Sequence, residues 1–102
     1  MMDIVQDFIL RHSLQTDVQT RYIDLISEIG ELGKEIINST DYGKRELVLS
    51  EQMTDEMGDC LFSLFALCHA MGIDAQTALD GALDKYARRF ADKGSIGSEN
   101  LN

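Results

Sequence analysis

Proline and tryptophan are absent from the chain. With no proline, no helix is kinked or broken by a missing backbone N–H. β-Branched residues seldom alternate with polar ones, so strand signals are all but missing while helical periodicity is long, and an all-α fold is predicted. Positive charge is scarce: nine Lys and Arg stand against eighteen Asp and Glu, for a net charge of −9. A nucleic-acid duplex or an anionic membrane would be repelled over most of such a surface, which argues against both as partners. The two cysteines, Cys60 and Cys68, lie about two turns apart on one apolar helix, too far along a rigid rod to bridge each other. They read as reduced core residues, which points to a cytoplasmic setting. The longest apolar run is interrupted by Asp59 and His69 and is short for a membrane span. Asp3 and Asp7 fall in the first apolar stretch with no basic segment before them, so no signal peptide is expected.

What the chain does contain is acid in pairs. Glu28 with Glu31, and Glu56 with Asp59, are spaced three apart in two separate helical stretches, and that spacing puts both members of a pair on one helix face. Asp59 is the more informative, because no other charged residue lies between Met57 and Ile73 in the run MGDCLFSLFALCHAMGI. A helix apolar on nearly every face is expected in an interior, where an ionised carboxylate needs a partner. If the two helices pack side by side, four acids converge, and a divalent cation would relieve their repulsion. The residues therefore read as a carboxylate-lined metal site. For Glu28 and Glu31 alone, a solvated acidic stripe is the competing reading.

Caps and breakers set the organisation. A first helix is predicted from after Asp3 to about Leu14, with Ile4, Val5 and Phe8 facing inward. Thr16 and Gln19 resemble a capping box opening a second helix to about Asn38. Its apolar stripe is Tyr22, Leu25, Ile26, Ile29, Leu32 and Ile36, with Asp24, Glu28, Glu31 and Glu35 running beside it. The run NSTDYG (38–43) should reverse the chain. A third helix is expected from about Lys44 to Met71, burying Leu47, Met53, Met57, Cys60, Leu61, Leu64, Phe65 and Cys68. Gly72 ends it, and Asp74 caps a fourth helix that runs to about Ala91. The domain is then residues 1–92, with 93–102 (KGSIGSENLN) a flexible Gly- and Ser-rich tail. Four or five helices, one of them apolar all round, leave more hydrophobic surface than 102 residues can cover alone. A bundle completed by homodimerisation, or a dimer of dimers, is expected.

The donor types narrow the metal. Four carboxylates with no sulfur or imidazole suit a hard cation, Mg²⁺ or Mn²⁺. A di-iron bundle requires Glu-x-x-His, and the residues three before His12 and His69 are Ile9 and Ala66, so iron is disfavoured. The cysteines lack zinc spacing. Gly30, Gly33 and Gly58 form no phosphate loop and read as points of close helix contact. Four of the nine cations, Lys85, Arg88, Arg89 and Lys93, fall in one short stretch. They either complement a helix C-terminus or hold phosphate oxygens. Beside a Mg²⁺ site, phosphate chemistry accounts for both clusters: carboxylates hold the metal, the metal holds a polyphosphate, and Lys or Arg neutralise the rest.

The segments SEIGELGKEI, with Glu28 and Glu31, and DEMGDCLFSL, with Glu56 and Asp59, resemble the ExxE and ExxD motifs of the MazG-like nucleotide pyrophosphohydrolases. That family belongs to the all-α NTP pyrophosphatase superfamily. The similarity continues through MGIDAQTALDGALDKYARRF and covers about Thr20 to Phe90; many relatives differ at Ser27, where they carry Glu, and at Tyr86, where they carry Asn. The resemblance implies Mg²⁺-dependent hydrolysis of an NTP or dNTP to the monophosphate and pyrophosphate. It implies Glu28, Glu31, Glu56 and Asp59 as metal ligands, one of the glutamates orienting or deprotonating the water, Lys85 and Arg88 or Arg89 on the phosphates, and an oligomer. Aromatics on early helices hold the base in several relatives, for which Phe8, Tyr22 and Tyr42 are the candidates here. The rival readings are a catalytically silent helical dimerisation or regulatory module and, within the enzyme class, a phosphoribosyl-ATP pyrophosphatase.

Overall fold

The computed structural model describes residues 1–93; the tail from Gly94 on, and the side chain of Lys93, lie outside the described residues. Its regular elements are all helices: α1 (Met2–Arg11), α2 (Val18–Ser39), α3 (Glu51–Met71) and α4 (Ala75–Lys93). The all-α expectation holds. The chain forms two compact units, Met1–Gly72 and a second beginning at Ile73. In the first unit α2 packs along α3 and α1 packs on α3. No single described helix is long and apolar enough to cross a membrane.

Local chemistry explains most helix ends. Gly72 closes α3 with φ 70°, a left-handed conformation that glycine adopts without a Cβ clash. Asp74 opens α4 as expected, its carboxylate accepting from Thr77 N at 3.0 Å and from Thr77 Oγ1 at 2.7 Å. At the start of α2 the cap is Asp17 and not Thr16. The Asp17 side chain accepts from Thr20 N at 2.7 Å, holding the carboxyl below the usual carboxylate range.

The first helix turns a different face inward from the one expected. Met2 and Ile9 are buried while Ile4 is 74% exposed. Met2 and Ile9 are seven residues apart and share a face, whereas Ile4 points about 200° away from Met2. Phe8 is half exposed, leaning on His12 (ring centroids 4.4 Å) and edge-on to Phe62 of α3 (6.0 Å).

The third helix begins at Glu51, not near Lys44. Residues 44–50 are held out of helix by contacts back to the end of α2. Ser39 Oγ donates to Val48 O at 3.1 Å and accepts from Val48 N at 3.4 Å, and Arg45 Nε donates to Ser39 O at 3.0 Å. Ser50 then caps the helix, its hydroxyl accepting from Met53 N at 3.2 Å. The turn before this segment, the strap of residues 44–50, runs through Asp41, Tyr42 and Gly43 at φ 48°, 57° and 85°.

The packed centre of the described residues is small: Met2, Ile9, Met53, Ser63 and Ala66 are buried. Cys60, Phe65 and Cys68 are half-buried, but Met57, Leu61 and Leu64, expected inside, stay more than 40% exposed. Of the α2 stripe, Leu25 and Leu32 are half-buried, and Tyr22, Ile26, Ile29 and Ile36 are exposed. Asp59, expected in the interior, is exposed as well. The reason is common to these residues: α3 is apolar on most faces, and α1 and α2, the helices packed on it in the first unit, cover only part of it. Gly30, Gly33 and Gly58 do not mark close helix contacts either, since a Cβ at any of them would meet nothing within 4 Å.

Candidate metal centre

The helices α2 and α3 run in opposite directions. Ile36, late in α2, shares a cavity with Met53, early in α3, while Glu28, earlier in α2, meets Asp59, later in α3. This antiparallel register decides which acids converge. Glu28, Glu56 and Asp59 each offer a carboxylate oxygen, and these atoms lie within 4.8 Å of one another. Glu28 and Glu56 are half-buried and Asp59 is exposed. Asp59 thus meets two further acids, at a distance where repulsion is felt. Desolvation first, and then the charges of Asp59, Glu56, Glu31 and Asp24, push the Glu28 carboxyl above its ordinary range. Burial, then the charges of Glu28, Asp59 and Glu56, push the Cys60 thiol up, which suits an inert thiol.

Glu31 stands one turn beyond Glu28 and outside the close trio. Its carboxylate faces Lys34 Nζ at 3.8 Å, while its charge still reaches Glu28. The basic residues are in the second unit, on α4. Lys85 and Arg88 are exposed and Arg89 is half-buried; Lys85 Nζ lies 5.3 Å from the centroid of the Tyr86 ring. Lys93 is the last residue of α4, and its side chain falls outside the described residues. Of the aromatic candidates, Phe8 packs on His12 and Phe62, Tyr22 is 52% exposed on α2, and Tyr42 is 75% exposed in the left-handed turn.

The donor set fits a hard divalent cation. Three converging carboxylates supply oxygen only, and their mutual repulsion is what such an ion removes. Neither His12 nor His69 nor a cysteine belongs to the group.

The motif-bearing helices and the one after them match the model of the MazG nucleotide pyrophosphohydrolase domain over residues 17–92. The chain belongs to that family. Neither a curated protein nor a solved structure matches it. The MazG match begins at the Asp17 cap and takes in α2, α3 and α4, leaving α1 outside. It therefore includes the acid trio, Glu31, and the basic stretch through Arg89.

Two further features of this MazG domain did not stand out in the sequence. Arg21 lies on the acid-bearing face of α2, its side chain only 12% exposed, with Nη1 3.8 Å from Asp24 and Nη2 donating to Leu14 O. Gln52 Nε2 donates to Glu56 Oε1 at 3.0 Å. The Arg21–Asp24 and Gln52–Glu56 contacts obey the i,i+3 and i,i+4 rules, so helical spacing was the available signal for them, whereas the Arg21 bond to Leu14 O spans seven residues and leaves no such trace. An apolar cavity of about 460 Å³ opens between the later half of α2, the strap and the first half of α3, lined by Leu32, Ile36, Leu47, Leu49, Met53 and Met57 among others. No aromatic residue lines it.

Proposed function

We propose that this chain is a Mg²⁺-dependent nucleoside triphosphate pyrophosphohydrolase, converting an NTP or dNTP and water to the monophosphate and pyrophosphate. The observation that carries the reading is the convergence of Glu28, Glu56 and Asp59 within 4.8 Å on the two helices that bear the motifs of a MazG domain. Glu28, Glu56 and Asp59 would hold Mg²⁺, or Mn²⁺ in its place, with Glu31 at the edge of the site. When bound, the cation supplies charge neutralisation for the phosphoryl oxygens and acidifies water at neutral pH. Rigid helices keep the carboxylates in place, so little reorganisation is needed as charge develops. Glu31, outside the trio and a turn from Glu28, orients the attacking water and takes its proton. The α–β phosphoanhydride bond breaks, and the water oxygen ends in one of the two products. Lys85, Arg88 and Arg89, with Lys93 at the end of α4, neutralise the charge left on the departing pyrophosphate.

The working form is a homodimer or a dimer of dimers. Support comes from the apolar side chains that one protomer leaves uncovered, among them Ile26, Ile29, Leu61 and Leu64, each more than 40% exposed. A cytoplasmic setting, where nucleotides and Mg²⁺ are plentiful, suits the reaction. The test is a panel of ribo- and deoxyribonucleoside triphosphates and phosphoribosyl-ATP with Mg²⁺, scoring pyrophosphate, orthophosphate and monophosphate. Monophosphate and pyrophosphate in equal amounts are expected. Orthophosphate with a nucleoside diphosphate would place the cleaved bond elsewhere, and no turnover on any member would favour a silent dimerisation module.

A further inference from the structure

The three carboxylates of the cluster are not equivalent. Among the described residues, Glu56 is the only member of the trio that accepts a side-chain hydrogen bond, from Gln52 Nε2 to its Oε1 at 3.0 Å. Gln52 lies one turn earlier, in the first turn of α3, which is anchored by the Ser50 hydroxyl on Met53 N at 3.2 Å. The donor therefore rests on a capped turn and not on a fraying end. An amide is also the neutral choice of donor. A lysine at this position would reach the same oxygen but would cancel part of the negative charge that attracts a cation, whereas Gln52 restrains Glu56 and leaves that charge intact.

The hydrogen bond has a stereochemical consequence. With one lone pair of Oε1 taken by the Gln52 amide, Glu56 has less capacity to lend both of its oxygens to one ion. Mg²⁺ requires near-octahedral geometry and takes one oxygen per carboxylate, while Ca²⁺ is larger and readily accepts both oxygens of one carboxylate. We propose that Gln52 is a positioning residue that holds Glu56 in single-oxygen coordination and so biases the centre toward Mg²⁺ over Ca²⁺. The inference rests on the metal-centre reading above.

The experiment follows Mn²⁺ binding to the full chain by electron paramagnetic resonance, with Mg²⁺ and Ca²⁺ as competitors and no nucleotide. It compares the natural chain with Gln52→Met and Glu56→Gln. Gln52→Met keeps side-chain length and helix propensity but lacks the donor, and Gln52 is exposed, so folding should be unaffected; far-UV circular dichroism checks this. Gln52→Met is expected to weaken Mn²⁺ and Mg²⁺ binding by about tenfold, the size usual for losing an outer-shell partner of a ligand. Ca²⁺ should hold its affinity or gain, so that the preference for Mg²⁺ narrows by about the same factor. Unchanged Mg²⁺ affinity in Gln52→Met, or equal losses for Mg²⁺ and Ca²⁺, would overturn the proposal, while the loss of Mn²⁺ binding in Glu56→Gln would leave the centre itself standing. A natural chain that binds no Mn²⁺ would instead remove the metal reading, and this inference with it.

Discussion

Glu28 of α2 and Asp59 of α3 bring carboxylate oxygens within 4.8 Å of each other, with Glu56 inside the same distance. The packing of α2 on α3 brings these acids together, and a cation entering among them would relieve their repulsion. Adding Mg²⁺ or Mn²⁺ to the free protein is therefore expected to raise its melting temperature. At a hundredfold excess over the dissociation constant the gain is about 2.7 kcal/mol, or roughly 10 °C for a chain of this size. Differential scanning fluorimetry with and without EDTA reads it directly. A melting temperature indifferent to millimolar Mg²⁺, together with turnover in excess EDTA, would remove the metal from the mechanism.

The same crowding predicts a separation of stability from function. Glu28→Gln deletes one of the like charges while keeping the side-chain shape, so the metal-free protein should melt higher than the natural one. Asp59→Asn should act the same way more weakly, because Asp59 is exposed and water already screens it. Both variants should lose turnover by at least about a hundredfold and lose the Mg²⁺-induced rise in melting temperature. Retention of natural rates in Asp59→Asn would mean that the chemistry happens elsewhere.

Two caps set the behaviour in acid. The hydrogen bonds from Thr20 hold the Asp17 carboxyl below its usual range, and those from Thr77, the hydroxyl first and the amide second, do the same for Asp74. A carboxyl whose folded value is depressed stabilises the fold above its unfolded value, and that contribution fades as pH falls through the folded value. Stability should therefore decline below about pH 4. Asparagine caps helices as well as aspartate does but does not titrate. A variant carrying Asp17→Asn and Asp74→Asn should match the natural chain at pH 7 and show a shallower loss in acid. Parallel loss in both proteins between pH 4 and pH 2, the range about the ordinary carboxylate values, would show that the caps are not the titrating groups.

Much of the fold was legible because its signals are local. Gly72 and Asp74 announce the α3–α4 boundary within a few residues, and the acid spacing places Glu56 and Asp59 on one face with no tertiary information. The start of α3 was not legible in this way. Residues 44–50 are tied to the end of α2 by Ser39 hydrogen bonds to Val48 across nine positions of chain, and no periodicity within the segment reports such a contact. The exposure of Asp59 was hidden for another reason: an apolar helix face says what avoids water, not which element arrives to cover it. At the site, the convergence of Glu28 with Glu56 and Asp59 depends on the register between α2 and α3, while Glu31, equally acidic by sequence, faces Lys34 on its own helix.

The Ser50 cap links this local structure to the centre. Its hydroxyl holds the Met53 amide at 3.2 Å, and the turn so anchored carries Gln52, one turn before Glu56. Ser50→Ala should destabilise the protein by about 1 kcal/mol, the usual cost of a lost helix cap. The urea midpoint should then fall by roughly 0.5–1 M with the slope unchanged. If the turn frays, Gln52 is no longer held beside Glu56, so Mg²⁺ binding should weaken in the same variant even where the protein remains folded. Ser50→Asp restores a capping acceptor and should recover both properties together. Recovery of stability without recovery of Mg²⁺ affinity would break the connection between the cap and the carboxylate it helps to position.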